Sequence, residues 1–322
     1  DYIWFDFGLA FINDYYQRKF YRNQFTVLWQ EMLDKKLANN SLEIIENKNI
    51  FKFSPYNALN GEQNEVSINI INEIIDSFAN DQRGVSLVQG CAGTGKTVLA
   101  ISIINSLVNA INIDDRLLDI KADTFEDDID ESKRNTLLRL KKYIQTQRGG
   151  KAFKIGFVFP MPGIRGTIKN VFKECGNGLV SEMVIGPTDV IKEEYDILFV
   201  DESHRLSKRK NLTGYKSFDD VSRFVDLEPT ETNQLEWILK SAKHVILFYD
   251  KTQSVKSSDI SHDEYENTLK KYNYVTNEHI LETQMRCEGG DTYLQYIKDV
   301  MACRRKEREN MENYDFLIFD DV

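Results

Sequence analysis

Two stretches concentrate residues whose types and spacing could do chemistry. The first runs Gly90-Cys91-Ala92-Gly93-Thr94-Gly95-Lys96-Thr97, with Val98 behind it. Glycines at 90, 93 and 95 let backbone N–H groups turn inward around phosphate oxygens, and a helix starting at Lys96 would aim its positive end at the same anion. This is the Gly-x4-Gly-Lys-Thr phosphate loop, in which Lys96 reaches the β- and γ-phosphates and the Thr97 hydroxyl ligates Mg²⁺. The second stretch, Ile197-Leu198-Phe199-Val200-Asp201-Glu202, reads as an apolar strand ending in two carboxylates. Asp201 would hold Mg²⁺ through its water shell, and Glu202 would orient or deprotonate the attacking water. Asp-Glu after an apolar strand also arises by chance; the upstream phosphate loop gives this pair its meaning.

Both stretches need a scaffold that sets loops at strand ends. Apolar runs at 86–90, 154–160, 196–202 and 244–250 are continuous, as expected for strands of a parallel sheet covered on both faces. Between them lie helical patterns, clearest after Lys96, where Val98, Ile101, Ile104, Leu107 and Val108 recur at helical spacing. The expected fold is α/β, with a predominantly parallel sheet covered by helices on both faces and right-handed crossovers. Residues 1–58 form an aromatic-rich helical segment, with Phe7, Phe11, Tyr15, Phe20, Phe25 and Trp29 at amphipathic spacing. Packing against a neighbouring domain and stacking on nucleic-acid bases both fit those rings. A charged insertion covers about 112–150: residues 114–131 hold nine acidic and two basic residues, and 132–148 hold six basic and no acidic ones. It reads as an acidic loop followed by a helix packed through Leu137, Leu140, Tyr143 and Ile144, either a solvated hairpin or a backbone-binding patch.

A net charge of −10 confines any nucleic-acid contact to local basic patches. The cysteines at 91, 175, 287 and 303 show neither paired spacing nor a histidine partner, so reduced thiols are expected, not a zinc site or disulfides. No apolar run reaches membrane-spanning length and the N-terminus lacks signal-peptide features, which points to the cytoplasm. The absence of Met at position 1 and the strand-like ending YDFLIFDDV suggest a fragment.

Around the phosphate loop stands an ordered series of weaker motifs that resembles superfamily 1 helicases over about residues 59–322. Leu59-Asn60-Gly61-Glu62-Gln63 resembles the Q motif, Asp201-Glu202-Ser203-His204 the Asp-Glu-x-His form of the second phosphate-site motif, and Asp250-x-x-Gln253 the third motif, with Tyr249 in place of its usual glycine. Gln284-Met285-Arg286 resembles the fourth. Within that superfamily VQGCAGTGKTVLA, VDESHRL and TQMRCEGGDTYLQYIKDVM resemble blocks of the bacterial and phage Schlafen-group-three-like DNA/RNA helicase domains. The resemblance implies that Gln63 selects ATP by reading adenine and that Gln253 couples the γ-phosphate to single-stranded DNA or RNA. It also implies that Arg286 reaches the γ-phosphate from a second lobe. It places a backbone-contacting loop after the strand at 154–160, with Arg165, Thr167 and Lys169 as candidates, although a plain helix start accounts for them equally. Thr188 and Arg205 are further candidates, the latter within His204–Lys210, where solvated charge is the competing reading.

The resemblance implies two RecA-like lobes with a phosphate-loop NTPase fold, so the expected organisation is an N-terminal segment at 1–58, a first RecA-like lobe at 59–278 and the start of a truncated second one at 279–322. The functional expectation is an ATP- and Mg²⁺-dependent helicase or translocase. The alternatives are a regulatory ATP-binding module in a larger protein complex, and a small-molecule kinase with a phosphate loop. His244, His262 and His279 show no partner pattern and read as structural or surface residues.

Overall fold

The computed structural model describes residues 14–38, 41, 48–55, 59–112, 128–251, 253, 256–272, 274–283, 295–297, 299–300 and 302–304. After helix α1 (Asp14–Asp34), helix α2 (Gly61–Ala79) leads into strand β1 (Gly84–Gly90) and helix α3 (Lys96–Asn109). Helix α4 (Asp128–Gln147), strand β2 (Ile155–Val158), helix α5 (Pro162–Cys175) and the short strand β3 (Val184–Ile185) follow. Then come β4 (Tyr195–Val200), α6 (Tyr215–Phe224), α7 (Gln234–Ser241), β5 (Ala242–Tyr249), α8 (His262–Tyr272) and β6 (Val275–Leu281).

All six strands are parallel, in the order β3-β2-β4-β5-β1-β6. The expected α/β fold is therefore present, with helices on both faces. Strand alternation divides the core: Ile197 and Phe199 of β4 face one side, where α2, α3, α4 and α5 contribute Ile70, Leu99, Ile144 and Phe172. Leu198 and Val200 face the other, where α6, α7 and α8 contribute Phe218, Trp237 and Tyr265. Both sides of β4 and β5 are buried, which is why these strands read as unbroken apolar runs.

β6 corrects the expected boundary. Gly84↔Val275 through Gly90↔Leu281 pair in register, so the first sheet runs to Leu281 and a lobe boundary at 278 would cut this strand. VTNEHIL carries four consecutive polar residues, Thr276 to His279, and is exposed along most of its length, as suits an edge strand, not a covered one. The charged insertion ends as expected in a packed helix: Leu140 and Ile144 of α4 are fully buried. Two of its basic residues bond to α2, Lys133 donating to Asn64 Oδ1 and the exposed Arg139 reaching Asn72 and Asp76.

A polar chain crosses the core between α2 and the sheet. Ser86 Oγ donates to Glu73 at 2.5 Å and must therefore accept from His244 Nε2 at 3.0 Å; Ser77 Oγ then donates to His244 Nδ1 at 2.9 Å. His279 on β6 lies 3.0 Å from the other oxygen of Glu73. Burial drives the His244 pKa down from 6.5 to about 4, against the pull of the Glu73 charge. A depressed basic pKa gives stability that is complete above pH 6.5 and is lost as pH falls through about 4, because the unfolded chain takes up the proton first. The loss attributable to His244 is about 3 kcal/mol at most. Urea titrations at pH 7 and pH 4.5 should show a smaller pH dependence for His244→Gln than for the unaltered chain.

Candidate nucleotide-binding and catalytic site

The carboxyl ends of three adjacent strands, β1, β5 and β4, converge where ligands of open α/β sheets bind. After β1 the chain turns through Gly93 at φ 91° and Gly95 at φ 79°, left-handed values that a side chain would strain. Gly95 is the N-cap of α3 and offers no side chain to its first amides, leaving them available to an anion. Thr94 is buried and its Oγ1 donates to the Cys91 carbonyl at 3.0 Å, holding the turn.

Lys96, also buried, donates from Nζ to the carbonyls of Gly90 at 2.7 Å and Cys91 at 2.9 Å, and lies 4.0 Å from the Asp250 carboxylate at the end of β5. Thr97 Oγ1 donates to Asp201 Oδ2 at 2.6 Å, which joins the loop to the end of β4. Asp201 is buried, and burial together with the neighbouring Glu202 charge raises its pKa to about 6 despite the bonds from Thr97 and the Glu202 amide. A buried carboxylate bonded to the Thr97 hydroxyl supplies the kind of oxygen ligand that a hard divalent cation takes. Among the described residues no group of three or more His, Cys, Asp or Glu side chains forms an all-protein metal cage. A hydroxyl and one carboxylate suit an ion that keeps waters and substrate phosphates as its other ligands.

Glu202 adopts a left-handed backbone, φ 50°, uncommon for a non-glycine residue and typical of functional turns. Its carboxylate lies 3.0 Å from His204 Nε2, and this contact first of all holds its pKa below the usual carboxylate range. His204 is buried, and its Nδ1 accepts the Asp250 amide at 3.3 Å, which puts the proton of the neutral ring on Nε2, facing Glu202. Gln253 Nε2 donates to Asp250 Oδ2 at 2.7 Å. A continuous polar chain thus runs from Gln253 through Asp250 to both Lys96 and His204, and from His204 to Glu202. Ser203 Oγ, bonded to the Phe248 carbonyl and the Tyr265 hydroxyl, fixes the turn that carries the acidic pair.

Gln63 is placed differently from a free base reader. It is buried, its Oε1 accepts the Asn60 amide at 3.1 Å, and its Nε2 donates to the Thr94 carbonyl at 3.0 Å. Asn60 and Gln63 form a capping box at the start of α2, and beyond these two bonds the side-chain amide keeps a second N–H and a second oxygen lone pair. Gln284 and Arg286 lie outside the described residues.

The nucleic-acid candidates are brought together only in part. Arg165, on α5, packs against the turn after β3 that holds Thr188: a Cβ at Gly186 would stand 2.5 Å from Arg165 Nη1. Thr167 and Lys169 share that helix, Lys169 exposed and Thr167 half-buried. Arg205 instead approaches Asp259 at 4.0 Å. The following basic residues are also paired, Lys208 with Glu264 at 2.7 Å and Arg209 bidentate with Asp219 at 2.7 and 3.0 Å.

Fold and site together define an ATPase domain with a phosphate loop, of helicase-like type. The family model "Schlafen group 3, DNA/RNA helicase domain" matches residues 83–322, and the chain belongs to that family. No curated protein matches the chain. A solved structure of a DNA replication initiation factor is 15% identical and aligns over 78% of this chain and 54% of its own, with a TM-score of 0.31. The chain therefore spans about half of that structure's length, and at this distance the likeness says nothing about the site. Among the described residues no helix is long and apolar enough to cross a membrane.

Proposed function

We propose that this domain hydrolyses ATP with Mg²⁺ and couples turnover to single-stranded DNA or RNA, as a superfamily 1 helicase or translocase of the cytoplasm. The observation that carries the reading is the line of contacts Gln253–Asp250–Lys96, its last step a 4.0 Å ion pair, beside Thr97–Asp201–Glu202, at the ends of three neighbouring strands. The amides of residues 90–98 cradle the phosphates and Lys96, now bonded to loop carbonyls, turns its ammonium to them. Thr97 and Asp201 are the residues that would hold Mg²⁺, which when bound neutralises charge building on the phosphate oxygens. Glu202, ionised and held by His204, orients the attacking water by accepting its proton in a hydrogen bond. Asp250 sits between Lys96 and Gln253, so a shift of the lysine toward phosphate alters the environment of Gln253, the candidate link to nucleic acid.

In this reading the first lobe covers residues 59–281, with 1–58 as a separate segment and a second lobe beginning after β6. Arg286, supplied from that side, stabilises the transferring phosphoryl group. Arg286→Ala should then lower turnover about 100-fold while ATP affinity changes little. ATP hydrolysis measured with and without single-stranded DNA, single-stranded RNA and duplex, at fixed salt, tests the coupling. Several-fold stimulation is the expected result, and its absence in the full-length protein would sink the motor.

One observation favours a second reading, a regulatory ATP switch within a larger protein complex. Arg205, Lys208, Arg209 and Arg139, which a nucleic-acid surface would use, each lie beside an acidic side chain. In that case ATP turnover proceeds without nucleic-acid stimulation.

A further inference from the structure

The first turn of α2 does more than hold Gln63. Glu62, one residue earlier and half-buried, accepts the Glu282 amide on Oε1 at 2.7 Å and the Thr283 amide on Oε2 at 3.2 Å. Those are the first two residues after β6, some 220 positions away in sequence. An acidic residue in a first helical turn is commonly explained by the helix dipole alone, which needs only water around the carboxylate. Here both oxygens are committed to consecutive backbone N–H groups of a distant segment.

Two further contacts meet at the same place. Gln63 Nε2 bonds the Thr94 carbonyl inside the phosphate loop. Gly90, the loop's first residue, pairs with Leu281, and a Cβ on Gly90 would stand 2.6 Å from Thr94 Oγ1 and 3.1 Å from the Leu281 carbonyl. The phosphate loop, the start of α2 and the exit of β6 therefore share one junction, with Gln63 and Glu62 holding the loop on one side and the exiting chain on the other.

We infer that Glu62 is a positioning residue that ties the chain leaving β6 to the phosphate loop, so that the direction of this chain is set by the same helix turn that braces the nucleotide site. The inference rests on the ATPase reading above, in which that chain leads to Arg286. Glu62 touches no reacting atom; its effect passes through the Glu282 and Thr283 amides. A change at Thr94 on nucleotide binding reaches the β6 exit through one turn of helix, with no rearrangement of the sheet.

Two measurements on the full chain test this. In hydrogen–deuterium exchange, Glu62→Ala should speed exchange of the Glu282 and Thr283 amides about tenfold or more, while β5 amides keep their original rates. In steady-state assays the same variant should lose about tenfold in kcat with nucleotide affinity within about twofold, and Glu62→Gln, which retains an accepting oxygen, should recover much of the loss. Unchanged exchange in Glu62→Ala would remove the tie. Faster exchange with unchanged kcat, or a loss of affinity matching the loss of kcat, would overturn the positioning role. If the unaltered chain binds ATP without hydrolysing it, the ATPase reading fails by itself, and the exchange result still decides whether the tie exists.

Discussion

Lys96→Ala should reduce ATP turnover by about 1,000-fold and weaken nucleotide binding, the largest loss expected from any single side chain here. The reason lies in the environment of the ammonium. Nζ is buried, bonded to the Gly90 and Cys91 carbonyls, and 4.0 Å from Asp250, so it is a fixed charge in a low-dielectric loop, not a solvated one. Its loss removes the ammonium donor from the Gly90 carbonyl, one of the donors from the Cys91 carbonyl, and a positive charge from beside Asp250. Lys96→Arg should not rescue the function, because the planar guanidinium cannot replace a compact ammonium inside this turn. Fluorescent nucleotide titration combined with phosphate release checks both effects, and near-normal turnover in the alanine variant would contradict the site.

Glu202→Gln should separate binding from hydrolysis, keeping ATP bound while turnover falls about 1,000-fold. The substitution preserves size and removes the charge that His204 holds ionised. Because the His204 contact lowers the Glu202 pKa, the carboxylate remains charged throughout the neutral range, and activity should not decline with falling pH until well below neutrality on account of this residue. Asp201 behaves oppositely: its pKa is raised to about 6, so in the proposed reading the Mg²⁺ affinity of the nucleotide-free protein should fall as pH drops through that value. Equilibrium nucleotide binding and single-turnover hydrolysis of Glu202→Gln, each measured at pH 7.5, distinguish an empty site from a stalled one.

Much of this arrangement is legible in the sequence because it rests on local rules. Glycines, a lysine and a threonine at fixed spacing can be assigned to a strand-to-helix turn, and β4 and β5 announce themselves as runs buried on both faces. What escaped local reading depends on neighbours that only folding supplies. β6 is mostly polar and exposed, without the unbroken apolar run of the covered strands, and its partner β1 lies almost 200 residues upstream. His244 has no partner pattern in sequence, yet Ser77, Ser86 and Glu73 meet it in the core. The basic run Arg205–Lys210 invites a nucleic-acid reading until Asp259, Glu264 and Asp219 are seen beside it. Gln63 reads as a recognition residue, and its bonds to Asn60 and to the Thr94 carbonyl of the phosphate loop are visible only in the fold.

The crowding around Gly90 bears on how this domain would change under selection. A side chain there would collide with Thr94 and with the end of β6, so folding alone preserves the glycine, whatever happens to nucleotide chemistry. No steric bar of that kind keeps Lys96, whose bonds to the loop carbonyls a shorter side chain would lose without a collision. A descendant that abandoned ATP hydrolysis would be expected to keep Gly90 and to drift first at Lys96 and Glu202, so in a set of homologues the lysine and the glutamate, not the first glycine of the loop, mark the members that still turn over nucleotide.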